Sequence, residues 1–206
     1  KIENNRQKLR VSEGNLTKFL RQSVAAFSPL VRKKHLHIIF KDKDLEIEGY
    51  FDIDKLDKIA YNLLSNAAKY TPESGVITVE QFYDAENKLW GFSVNNPGDV
   101  IPEEKLSHLF ERFYEGEYRR FHTNGTGIGL SLTKDLVMLH HGKIEVSSTA
   151  EQGNTFSITV PVDREAFAED EIDEAISSKD ILELQAEETG KPEISAFPAE
   201  NDGTEG

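Results

Sequence analysis

Lys58-Ile59-Ala60-Tyr61-Asn62-Leu63-Leu64-Ser65-Asn66-Ala67-Ala68-Lys69-Tyr70 decides how this 206-residue chain is read. As a helix turning by about 100° per residue, the stretch gathers Asn62, Asn66, Lys69 and Lys58 into one sector. Leu63, Leu64, Ala67 and Ala68 fall on the opposite side. An ordinary amphipathic helix with its polar face in water is the simplest account. Two asparagines weigh against it, because Asn is a poorer helix former than Glu, Lys or Gln. Amide oxygens one turn apart, beside a Lys, suit a hydrated magnesium ion and a polyphosphate.

Outward from this helix, the chain alternates elements. Asn15 is placed to cap a helix from Leu16, with Leu16, Leu20, Val24, Phe27 and Val31 at helical spacing. Pro29 is expected to kink or end it. Strands are expected over Leu36–Phe40 and Leu45–Phe51, around the polar turn at 41–44, and the Asn-bearing helix over Asp54–Tyr70. Val76–Tyr83 and Leu89–Val94 read as a hairpin, and Pro102 opens a short helix to Phe110. A third long helix is expected over Ile128–His141 with Gly142 as its left-handed cap, then strands Lys143–Ser148 and Thr155–Val162. Helices and hairpins without a strand–helix–strand rhythm predict α+β: a two-layer sandwich, one mixed sheet with three main helices on one face.

Two further segments carry chemistry. Asn95-Asn96-Pro97-Gly98-Asp99-Val100-Ile101 follows a strand, and Pro97-Gly98 fits the centre of a type II turn. Asn124-Gly125-Thr126-Gly127-Ile128-Gly129-Leu130 opens a helix with three glycines at every second position. Glycines are costly there, and they leave backbone N–H groups free for an anion at the positive end of the helix dipole. The dinucleotide fingerprint needs a different glycine spacing and a preceding strand, and this loop has neither. No Gly-x-x-x-x-Gly-Lys-Ser/Thr loop occurs, and no His-Arg-Asp or Asp-Phe-Gly, which argues against a eukaryotic-type protein kinase.

Composition narrows the field further. The formal net charge is −13, but residues 163–206 hold 15 of the 37 acids and three of the 24 bases. The body is therefore nearly neutral and the tail acidic, which argues against a general nucleic-acid binder. With no cysteine, disulfides, thiol nucleophiles and thiolate metal sites are excluded. No apolar run approaches the ~18–20 residues that span a bilayer, so no direct membrane contact is expected. The start at Lys1, without Met, leads us to expect a piece of a longer protein.

The segment order carries a resemblance. The Asn helix, the Gly turn after a strand, Phe110-Glu111-Arg112-Phe113-Tyr114, the Gly125–Leu130 loop and Gly153-Asn154-Thr155-Phe156 in a last strand resemble the catalytic and ATP-binding domain of sensor histidine kinases. That family shares the Bergerat ATP-binding fold with gyrase-type ATPases, a heat-shock chaperone family and MutL. The resemblance covers roughly residues 14–162.

It implies ATP and Mg as cofactors. Asn66 matches the family's magnesium-ligating Asn, with Asn62 one turn earlier; Lys69 and Tyr70 match positions near the phosphates and base. Asn96 stands where an Asp usually accepts from the adenine amino group, and a neutral acceptor should bind it more weakly. Gly98 and Ile101 belong to the same box, in which Val100 replaces the second Gly. Phe113 belongs to the aromatic box, and Glu115 follows where an Arg is common; Arg119 or Arg120 could take its place. Gly125, Thr126, Gly127, Ile128, Gly129 and Leu130 match the second glycine box, and Thr155 the last. Hydrolysing relatives carry a Glu base where Asn62 stands, and an amide cannot take the proton, which favours transfer over hydrolysis.

The resemblance also implies partners. A phosphoacceptor His is expected on a separate upstream dimerisation domain, because none of His35, His37, His108, His122, His140 and His141 is followed by Glu or Asp. A response-regulator receiver is the expected second partner, with a place downstream in the same chain, beyond an acidic linker, as one option. The expected organisation is a lead-in over 1–12, the ATP-binding domain over 13–162 and a flexible acidic tail over 163–206. The fragment is expected to be monomeric or weakly associated, the cytoplasmic portion of a membrane-bound sensor. The alternatives are a degenerate nucleotide-binding regulatory module, suggested by Asn96, Val100 and Glu115, and an ATP-hydrolysing relative.

Overall fold

The computed structural model describes residues 8–111, 129–174 and 181–182. Strand β1 (Ser12–Asn15) runs into helix α1 (Leu16–Lys33), and Asn15 caps it by accepting the Lys18 N–H at 2.8 Å. Leu16, Phe19, Leu20, Val24, Phe27 and Val31 form its buried stripe. Pro29 lies inside the helix and does not end it. Its ring is on the exposed side, and burial of Val31 holds the last turn although Pro29 has no N–H to donate.

Strand β2 (His37–Lys41) and strand β3 (Glu48–Phe51) belong to different sheets. β3 is shorter than its apolar run suggested, and it pairs antiparallel with β1, Ser12 opposite Phe51. Between β2 and β3, Lys43 and Asp44 take left-handed φ of 58° and 56°, and Asp42 accepts the Asp44 N–H. β1 escaped the sequence reading because Ser-Glu-Gly-Asn has no apolar alternation.

Helix α2 (Ile53–Tyr70) is capped by Asp52, which accepts the Lys55 N–H at 3.1 Å, and it stops at Thr71 before Pro72. The hairpin of β4 (Val76–Asp84) and β5 (Leu89–Asn96) forms as expected. Helix α3 (Glu103–Leu106) is a single turn, shorter than expected. Helix α4 (Gly129–Leu139), β6 (Lys143–Thr149) and β7 (Gly153–Pro161) complete the body.

The main sheet runs β2-β4-β5-β7-β6, with only β2–β4 parallel. The fold is thus α+β, with a mixed, mostly antiparallel sheet. Trp90, Phe92, Val94, Phe156, Ile158 and Val160 point into the layer made with α1, α2 and α4, where Leu56, Ile59, Leu63, Leu64 and Val137 meet them. Their neighbours Ser93, Asn95, Ser157 and Thr159 are only half-buried on the other face. Burying one such aromatic or aliphatic side chain stabilises by roughly 1.5–3 kcal/mol, so this layer fixes the positions of α2 and α4.

α4 ends differently from the expected pattern. His141, not Gly142, takes the left-handed conformation, with φ 62°. Gly142 serves close packing instead, since a Cβ there would come within 2.3 Å of the Thr159 carbonyl oxygen.

The chain stays packed beyond the last strand. Between short turns at Arg164–Ala166 and Glu169–Glu171, Phe167 is buried with Leu9 and Val11. The Val11 N–H donates to Glu171 O at 2.7 Å, and the Asp173 N–H donates to Val11 O at 2.8 Å. The sequence placed a flexible linker from Asp163 onward; through Asp173 the segment is instead joined to the lead-in. One aromatic, Phe167, and backbone pairing hold it in spite of its acidic composition.

Candidate nucleotide-binding site

The buried face of α2 turns Asn62 and Asn66 outward, half-buried, along its C-terminal half. Asn62 Nδ2 donates to Thr133 Oγ1 at 3.2 Å, and the Thr133 hydroxyl donates to Gly129 O at 2.6 Å. The Asn62 carbonyl oxygen has no donor among the described residues, and Asn66 makes no side-chain hydrogen bond among them. Lys69 continues the same face in an exposed position, and Tyr70 ends the helix half-buried, where burial raises its phenol pKa. Thr133, fully buried on α4, was not foreseen, because a Thr in a helix carries no spacing signal.

β5 delivers Asn96 to the same end of the molecule. Asn96 is 3% exposed, and its Nδ2 donates to the Pro97 carbonyl at 2.9 Å, which fixes how the amide is turned. No donor among the described residues meets its Oδ1, which is not among the buried atoms left unpaired, so the oxygen reaches the surface and is open to a ligand donor. Gly98 is not at positive φ, so Pro97-Gly98 is not the expected type II turn. Gly98 sits close to its neighbours: a Cβ there would lie 3.3 Å from Tyr70 O and 3.4 Å from Asn154 Nδ2, a tight fit that a small shift would accommodate. Val100 is 48% exposed and not at positive φ, so it takes the glycine position of the family box without backbone strain. Ile101 is buried beneath the segment.

On the last strand, β7, the expected ligand residue Thr155 faces away from the helices. Thr155 is paired with Asn95, whose Nδ2 donates to its hydroxyl at 2.8 Å, on the sheet face away from the helices. Successive strand residues point to opposite faces, so Asn154, opposite Asn96, is the β7 residue on the site side. The signal was present in the sequence: Phe156, Ile158 and Val160 are the inward positions, and counting back by twos reaches Asn154.

Around the site, Phe110 packs edge-on against Phe156 at 6.2 Å, and Lys134 Nζ lies 5.9 Å over the Phe110 ring. Leu130 packs on the core from the first turn of α4. A Cβ at Gly129 would meet nothing within 4 Å, so packing among the described residues does not demand that glycine. Phe113, Glu115, Arg119, Arg120, Gly125, Thr126, Gly127 and Ile128 lie outside the described residues. The structure thus links Asn62 on α2 to Gly129 on α4 through Thr133, sets Gly98 beside the Tyr70 carbonyl at the end of α2, and leaves Thr155 on the far face.

Among the described residues, no group of three or more His, Asp or Glu is placed to hold a metal ion. No helix among them is long and apolar enough to cross a membrane. Among the described residues the open oxygen donors of Asn62, Asn66 and Asn96 are neutral amides, which fit a magnesium ion that takes its remaining ligands from phosphate and water.

Fold and site together define a two-layer α+β domain with an amide-bearing helix face and an open amide acceptor on a buried residue at one sheet end. The chain belongs to the family described as histidine kinase-, DNA gyrase B-, and HSP90-like ATPases, whose profile matches residues 51–164. It is similar to histidine kinase P4 of Formosa agariphila, 32% identical over 84% of this chain and 13% of that protein. It is similar also to the sensor histidine kinase WalK of Bacillus subtilis, 35% identical over 71% of this chain and 24% of that protein. Among solved structures, the nucleotide-free catalytic domain of histidine kinase ThkA superposes with a TM-score of 0.66 at 28% identity. That match covers 76% of this chain and 99% of that domain. The chain thus corresponds to a whole catalytic domain of one relative, but spans less than a quarter of the length of these two curated relatives.

Proposed function

We propose that this chain binds Mg-ATP at the C-terminal end of α2 and acts as the catalytic part of a sensor histidine kinase. One observation carries the reading: among the described residues, Asn66 on α2 and the Asn96 carbonyl oxygen at the end of β5 have no hydrogen-bond partner. Buried or half-buried polar groups are normally satisfied, so acceptors held open together suit a ligand that brings donors and a cation.

Asn96 Oδ1 would accept from the adenine amino group, and its fixed amide presents an acceptor rather than a donor to the base. The carbonyl oxygens of Asn66 and Asn62 would hold magnesium, which when bound neutralises phosphate charge. Lys69 would add positive charge beside the phosphates. The γ-phosphoryl would pass to a His nitrogen on a separate dimerisation domain, with ADP as the leaving product, and from there to a response-regulator receiver. Catalysis by this chain would then be positioning and charge neutralisation. Asn62 cannot accept a proton from water, and its Nδ2 is committed to Thr133, which favours transfer over hydrolysis.

Calorimetric titration of the 206-residue chain with ATP in magnesium buffer tests the binding step. Saturable, magnesium-dependent binding is expected. Folded protein that takes up no ATP at millimolar concentration contradicts it.

A further inference from the structure

The segment that follows Asn96 is held from below by two side chains, Asn154 and Ser148. Asn154 on β7 is directly opposite Asn96 on β5, and Ser148 on β6 is directly opposite Asn154. The three residues form a row across three strands on the helix-covered face. Ser148 Oγ donates to Asn154 Oδ1 at 2.5 Å and accepts the Ile101 N–H at 2.8 Å. Asn154 Nδ2 donates to the Asp99 carbonyl at 3.2 Å. Beneath the start of the segment lies Gly153, with φ +76°, where a Cβ would come within 2.4 Å of Asn96 O.

Residues 97–102 carry no helix, strand or hydrogen-bonded turn of their own. Their backbone therefore takes its shape from outside partners, and Asn154 and Ser148 supply one carbonyl contact and one amide contact, two residues apart. Asn154 is itself 4% exposed, so its amide is committed to this row and is not solvated in competition. Val100, in place of the second family glycine, leaves the segment without the backbone freedom that glycine provides.

Resting on the nucleotide reading above, we propose that Ser148 and Asn154 are positioning residues for base recognition. They hold the Asn96–Ile101 segment in the shape that places the Asn96 carbonyl oxygen and the Gly98 backbone against the adenine. They touch the segment, not the ligand. Their loss should weaken recognition of the base more than contact with the phosphates.

The test uses the 206-residue chain. Asn154→Ala, Ser148→Ala, the double variant and Ser148→Thr are compared for Mg-ATP affinity, for ATP-over-GTP preference by competition, and for melting temperature. Each Ala variant should bind ATP about tenfold more weakly, the worth of one or two hydrogen bonds. The double variant should be little worse than either single one, because both act through one row. GTP binding should change less than ATP binding, Ser148→Thr should stay near the parent, and Thr155→Val, on the other face, should bind ATP within about twofold.

ATP affinity unchanged in Asn154→Ala, or ATP and GTP weakened equally, overturns the proposal. So does a double variant showing the full product of the single losses. A parent chain that binds no ATP defeats the nucleotide reading itself, a result separate from any of these.

Discussion

The two ends of α2 treat polar side chains in opposite ways. At its N-terminal end, Asp52 caps the helix through the Lys55 N–H, accepts the Arg10 N–H at 2.8 Å and pairs with Lys55 Nζ at 3.1 Å. Lys55 Nζ also donates to Lys8 O at 2.7 Å, and the Asp52 N–H donates to His140 Nε2 at 2.9 Å. Some four turns later on the same helix, Asn66 makes no side-chain bond among the described residues, and Asn62 spends only its Nδ2. One end binds the chain to itself. The other keeps its acceptors for something else, at the cost of two poor helix formers that add little to stability.

The self-bonded end, where His140 Nδ1 is the buried polar atom left unpaired, should therefore govern stability and the open end affinity. Asp52→Ala should have the largest effect: it removes the cap and leaves the Lys55 ammonium in a buried place without its carboxylate. A loss of about 3–5 kcal/mol is expected in urea unfolding. A loss below about 1 kcal/mol would show that the junction is not as tightly satisfied as its distances suggest.

Acid should weaken the same end. Burial lowers the His140 pKa from 6.5 to about 4, and the nearby Asp52 carboxylate, which pulls it upward, does not win. Below pH 6.5 the unfolded chain takes up a proton that the folded chain refuses, so this contribution is fully present above 6.5. It falls away as the pH drops toward 4, by about 3 kcal/mol in all. Urea midpoints between pH 7 and pH 4.5 should trace the decline, and His140→Gln should flatten it. An unchanged pH slope in that variant would assign the acid sensitivity elsewhere.

Smaller effects are expected between and beyond the two ends. Thr133→Val strands Asn62 Nδ2 and should cost about 1 kcal/mol. It also frees the Asn62 side chain, so ATP affinity should fall while the α2 junction keeps its pH dependence. Glu171→Gln breaks the half-exposed pair with His141, 3.0 Å apart, and should cost less than about 1 kcal/mol. A larger cost would mean that the pairing of lead-in and trailing segment depends on this charge.

Much of this contrast could be read in the amino-acid order. The 3.6-residue period of α2 placed Asn62 and Asn66 together opposite Leu63 and Leu64, because burial of that apolar face leaves one orientation open. The hairpin β4–β5 followed from alternation and a polar turn. What was missed depends on contacts far apart in sequence. β1 is a strand only because β3 lies beside it, and Phe167 is buried only because Leu9 and Val11 reach it. Likewise, α4 ends on a left-handed His141 because Gly142 is needed against Thr159. The displacement from Thr155 to Asn154 was different in kind. The period-two pattern of β7 held the answer, and the family motif drew attention to the neighbouring residue.

The central claim is that Asn66 is held for a ligand and not for the fold, and Asn66→Ala tests it most directly. Melting temperature and Mg-ATP affinity would be measured on the same preparation. Stability within about 0.5 kcal/mol of the parent, or slightly higher because Ala is the better helix former, is expected, together with ATP binding weakened at least about 100-fold. A variant that binds Mg-ATP as the parent does, or that unfolds when the side chain is removed, would contradict the account.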